Sequence, residues 1–129
     1  MKAAFNKAEW FAILSTDVDN SREQGIAEQY SAAVGNNTWD RVFLLSYYEM
    51  KIYFAGNAAR ACSPTAYAVA RGATIGIDSL TTWWLRSPGG FQYSAEFQFY
   101  DYASESEYID YEKMAVRPAM WVDLNADIF

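Results

Sequence analysis

The helix signals of this chain gather before Gly72 and its longest strand patterns follow it; no other feature constrains the fold as tightly. Ser46 opens the run S-Y-Y-E, in which a hydroxyl can accept from the amide three residues on while Glu49 reaches back. A helix from Tyr47 to about Phe54 is predicted. Ser63-Pro64 repeats the logic, with Ser63 as N-cap, Pro64 at the first helical position where its missing N–H costs nothing, and Gly72 ending the helix after Arg71. Further upstream, Phe5 to Leu14 has apolar residues near helical spacing. Ser15 to Asn20 is polar and turn-rich with a short extended piece around Val18, residues 21–35 have helical character despite Gly25 and Gly35, and Asn36-Asn37 is a turn signal. Arg41 to Leu45 is a short β-rich run. Beyond Gly72 come a strand over Thr82–Arg86, a turn at Pro88-Gly89-Gly90 and an alternating strand over Ala95–Phe99. In that alternation Phe97 and Phe99 face a core, joined by Ile109, and Glu96 and Gln98 face water. A strand at Tyr108–Tyr111 and a last one over Val116–Leu124, broken or edged by Pro118, complete the pattern. The expected class is α+β, with two or three short helices packed on a small twisted antiparallel sheet.

A chain of 129 residues is one domain, 1–129, large enough to bury a core. Cys62 is the only cysteine, so no disulfide within the chain can staple it; the small neighbours Ala59 and Ala61 suit a buried thiol. Histidine is absent, which removes His-based triads, a base for a cysteine nucleophile and most zinc sites. No catalytic residue, metal ligand or cofactor is assigned. No apolar stretch approaches the roughly 18–20 residues that span a bilayer. Lys7 and Glu9 interrupt the start, so it does not read as a signal peptide, and display at a cell surface or on a virion would depend on a larger assembly, another secretion route or further sequence.

Residues 91–112 read FQYSAEFQFYDYASESEYIDYE, with five Tyr, three Phe, six acids and no base. Rigid aromatic area combined with Ser and Asp is the composition of a contact surface. Residues 1–90 carry eight bases and eight acids, so the whole net charge of −6 arises in the last third. Such a surface repels phosphate backbones and anionic membranes and favours partners bearing Lys, Arg or sugar hydroxyls. The expected ligand-binding set is Phe91, Tyr93, Glu96, Gln98, Tyr100, Asp101, Tyr102, Glu105, Glu107, Tyr108, Asp110, Tyr111 and Glu112. The tyrosines supply the anchors, and the acids steer basic partners.

Several blocks carry a resemblance. TWDRVFLLSYYEMKIYF (38–54), SPTAYAVARGA (63–73), WWLRSPG (83–89) and VRPAMWVDL (116–124) match, in order and spacing, a family of unknown-function domains of gut bacteria and their phages with the hallmark WWLRSPG…VRPALW; EWFAILSTDVDNS (9–21) fits as well. That family is similar to C-type lectin-fold domains, the scaffold of formylglycine-generating enzymes. It resembles in particular the variable ligand-binding proteins of diversity-generating retroelements. The resemblance implies a hypervariable insert at 91–113 framed by 83–90 and 115–124. Adenine substitution in Asn codons yields the Tyr, Phe, Ser and Asp abundant there, whereas Glu105, Glu107 and Glu112 require other template codons. Members often carry a further strand and a tryptophan-containing helix upstream.

Trp83, Trp84, Arg86, Arg117 and Trp121 are assigned to the framework, with at least one of the adjacent tryptophans in the core and the arginines holding carbonyls or carboxylates through the guanidinium fork. Asp17 and Asp19, in D-V-D-N, lack the further spaced oxygens of a calcium loop. The expected function is non-catalytic recognition of a protein or glycan, without nucleic acid or membrane insertion. The alternative is a structural or oligomerisation module of a virion or surface protein, with the aromatic patch as a subunit interface between identical copies.

Overall fold

The computed structural model describes residues 5–25, 32–100 and 104–128, and for Ser104 and Glu105 the backbone alone. Its first helix, α1 (Lys7–Ala12), starts at Asn6, whose side chain accepts from Glu9 N while the Glu9 carboxylate accepts from Asn6 N. The same reciprocal cap, built from Ser46 and Glu49, opens α2 (Tyr47–Tyr53) as the S-Y-Y-E run predicts. Between them lie the paired strands β1 (Thr16–Val18) and β2 (Thr38–Asp40), followed by β3 (Phe43–Leu44). The helical character expected over 21–35 is reduced, among the described residues, to a single 3-10 turn at Arg22–Gln24. Residues 26–31 lie outside the described residues.

Two more helices follow, the unexpected α3 (Asn57–Arg60) and α4 (Ala66–Ala70). Thr65 rather than Ser63 caps α4, its hydroxyl accepting from Ala68 N at 3.2 Å; Pro64 therefore precedes the cap instead of opening the helix. Gly72 ends it in the left-handed region, φ +95°, as the sequence predicts.

The main sheet is antiparallel and ordered β4 (Trp83–Pro88), β5 (Ser94–Gln98), β6 (Ser104–Tyr108). The strand expected at Tyr108–Tyr111 thus ends where it was to begin, and residues 109–110 turn. The last predicted strand shrinks to β7 (Pro118–Ala119), paired with β3, plus one bridge at Val122.

The core gathers Leu45, Met50, Trp83, Leu85 and Ala115, with Phe43, Tyr47 and Phe54 packed around it. Cys62 sits half-buried at its margin with a free thiol, less enclosed than its small neighbours suggest. Two backbone seams fasten the frame. Trp84 N donates to Ala115 O and Ala115 N to Thr82 O, so the chain leaves β4 and returns beside it. Leu14 N donates to Trp121 O at 2.8 Å and Asp123 N to Ala12 O at 2.9 Å, joining the two terminal segments through the Ile13–Val122 bridge. Among the described residues no helix is long and apolar enough to cross a membrane.

Candidate recognition surface

Arg86 locks the frame beneath the surface. Its guanidinium donates to Asn20 Oδ1, Leu44 O and Asp19 O at 2.9–3.2 Å and forms a forked ion pair with both Glu49 carboxylate oxygens. Because Glu49 also closes the α2 cap, one carboxylate couples helix, loop and sheet. Arg117 lies over the rings of Phe54 (4.4 Å to the centroid) and Trp83 (5.0 Å) and donates to Arg60 O, the same carbonyl that accepts from the Trp83 indole N–H at 3.1 Å. Buried Arg60, which sequence reasoning passed over, is thus a hub: its own side chain donates to Asn57 Oδ1 and Phe54 O. Trp83 is fully buried and Trp84 half-buried, edge-on to Phe97. Trp121 is half-exposed, edge-on to Tyr53.

Asp19 accepts from Ser21 N at 2.8 Å and from the Gln24 amide at 3.0 Å. The Ser21 backbone N–H, with help from Gln24 and the Arg86 charge, holds this carboxyl below its ordinary range.

Above the frame, a tight turn delivers the aromatic segment. Ser94 N donates to Phe91 O and Gly89 N to Ser94 O, while the Ser94 hydroxyl accepts from Phe91 N at 2.9 Å. Phe91 and Tyr93 emerge from this turn stacked on each other, centroids 5.5 Å apart and rings within 5° of parallel. Tyr93 stacks in turn on Tyr108 of the neighbouring strand at 5.4 Å. All three rings are about half exposed, as is Tyr111, and Ile109 is 65% exposed. Asp110 and Glu112 stand in solvent beside them, and half-buried Glu107 accepts from Tyr108 N at 2.9 Å.

Three expected members do not belong to this surface. Glu96 and Gln98 are completely buried, with Gln98 opposite Trp83 in the register and Glu96 beneath Gly25. Alternation implies a wet face only where one side of a strand meets water; in β5 both faces are covered, with Phe97 buried on one and Glu96, against Gly25, on the other. Tyr100 adopts a left-handed φ of 47°, which turns its ring back onto Gly76, into the space a Cβ there would fill. Conversely, Ile109, expected in the core, points outward because β6 has already ended. Asp101, Tyr102 and the Glu105 side chain lie outside the described residues.

Away from this surface, a cleft of about 440 Å³ opens between α2 and β7, lined by Phe43, Leu45, Tyr53, Phe54 and residues 118–121. Sequence reasoning missed it because its walls come from segments some seventy residues apart, a pairing that no local pattern encodes.

The fold and frame define a small α+β domain with a stiff interior and an outward aromatic ladder. Residues 1–124 match the family model described as a domain of unknown function (DUF6273), and the chain belongs to that family. No curated protein and no solved structure matches it.

Proposed function

We propose that this domain is a non-catalytic recognition module of C-type lectin type, with residues 91–113 as the ligand-binding segment, in the manner of the variable proteins of diversity-generating retroelements. Its ligand is a protein or glycan, reached on a host or neighbouring cell or from a virion. The observation that carries the reading is the half-exposed ladder Phe91–Tyr93–Tyr108: stacked aromatic area held in water at the end of a sheet with a buried interior is what a binding surface requires. The joined terminal segments and the return of the chain beside β4 support a framed insert on a closed scaffold.

The test is a printed glycan array together with a displayed library of bacterial surface proteins, probed with the wild type and with Phe91→Ser/Tyr93→Ser/Tyr108→Ser. Specific signals that vanish in the triple variant support the reading; signals that survive it refute the placement of the site. The neighbouring DNA tests the retroelement link separately, through a reverse transcriptase gene and a near-copy of the 3′ segment differing at adenines.

A second reading makes the same half-exposed ladder a permanent subunit interface in a structural module. Concentration-dependent sedimentation that disappears in the triple aromatic variant would favour it.

A further inference from the structure

We infer that the outer edge of β6 is a docking strand for an extended, lysine- or arginine-bearing segment of a protein partner, an inference that rests on reading residues 91–113 as the recognition surface. Ile109 N donates to Tyr93 O at 3.0 Å, which fixes the parity of the ladder. In the register Ala95↔Glu107 and Phe97↔Glu105, the odd-numbered residues exchange their hydrogen bonds with β5. The N–H groups of Ser106 and Tyr108 therefore point away from the sheet, and among the described strands none pairs with that edge.

Tyr108 N–H is covered instead by its own neighbour, the Glu107 carboxylate at 2.9 Å. Edges guarded by charge are a general device against unwanted pairing, and here the guard is an acid in a segment, 91–112, that contains no base. A second copy is thereby disfavoured, because antiparallel pairing of two S-E-S-E-Y strands sets carboxylates against carboxylates. A strand carrying a cation opposite Glu107 does the reverse. It draws the carboxylate off Tyr108 N–H, which is then open to a carbonyl of the incoming chain, as in recognition by strand addition. Past the strand end, the half-exposed ring of Tyr108 offers an arginine or lysine a further seat. A glycan has no amide ladder with which to continue the sheet, so the occupant is a protein segment.

The test follows amide exchange by NMR in the full chain while a short, end-capped peptide alternating lysine and valine is added. Two control peptides replace lysine by glutamate or N-methylate alternate backbone nitrogens. The lysine–valine peptide slows exchange at Ser106 and Tyr108 by about tenfold at saturation, and neither control does. Glu107→Gln weakens the lysine–valine peptide by roughly three- to fivefold at low salt. Unchanged exchange at both amides, or equal protection by the N-methylated peptide, overturns the proposal. If that happens while the triple aromatic variant still loses its array signals, the edge inference falls and the recognition surface stands. If the triple variant loses no signal, the surface itself is misplaced.

Discussion

Arg86 shows how much of this molecule can depend on one side chain. Its planar fork reaches a helix-capping carboxylate, a strand carbonyl and two groups of the 19–20 loop at once, from a largely buried position. A lysine carries the charge but not the fork, so it cannot hold four such partners together. Arg86→Lys should lower unfolding stability by roughly 3 kcal/mol in urea titrations, because Glu49 is left without its bidentate partner. Arg117→Lys, which mainly loses ring contacts, should cost less. Asp19, beside the same network, supplies a pH signature. Its folded-state pKa is depressed below the ordinary 3.8, so the contribution is present above that value and is lost as pH falls through the lower folded value. Asp19→Asn removes the titration while keeping an acceptor oxygen. The gap between wild-type and Asp19→Asn urea midpoints should therefore be largest near neutral pH and narrow below pH 4, in the acid range set by that depressed value; a gap that widened on acidification would contradict the assignment.

At the level of elements, the two reciprocal caps invite a comparison. Ser46 is fully buried: its hydroxyl accepts from Glu49 N and also donates to Gln24 Oε1, tying α2 to the 3-10 turn. Asn6 caps the exposed start of α1 with no such second link among the described residues. Ser46→Ala should cost about 2 kcal/mol and Asn6→Ala about 1 kcal/mol or less, read from chemical denaturation midpoints. The α2 cap was legible in the sequence because its whole logic spans four residues. The start of α4 was displaced by two residues since Ser63 and Thr65 are both competent caps, and only the packed chain decides between them. Strand faces were less legible still. The Glu96–Phe99 alternation is real, but which face meets water depends on what packs over each side of the sheet, and distant segments such as Gly25 supply that cover. Arg86 and Arg117, assigned to the framework on the strength of the guanidinium fork, each hold a backbone carbonyl, Leu44 O and Arg60 O. The Arg60 hub went unseen, as its decisive contact is a backbone carbonyl and any residue type supplies one.

For the molecule as a whole, the question is whether framework and surface are energetically separable. Phe91, Tyr93 and Tyr108 stack on one another, and each remains about half in water. Truncating all three removes two stacked ring pairs but opens no cavity, so the loss should stay near 1–2 kcal/mol. Trp83→Ala does the opposite: it deletes a ring with no exposure and frees Arg60 O and the Arg117 guanidinium of a partner, at a cost of about 3–5 kcal/mol. Tyr100→Ser should fall between them, since that half-buried ring lies against Gly76 and the Phe99 ring. Thermal unfolding of the three variants side by side tests the separation. The order expected is a small shift for Phe91→Ser/Tyr93→Ser/Tyr108→Ser, a larger one for Tyr100→Ser and the largest for Trp83→Ala. If the triple variant instead unfolds as early as Trp83→Ala, the ladder belongs to the core, and residues 91–113 are not free to vary on a scaffold that stays folded without them.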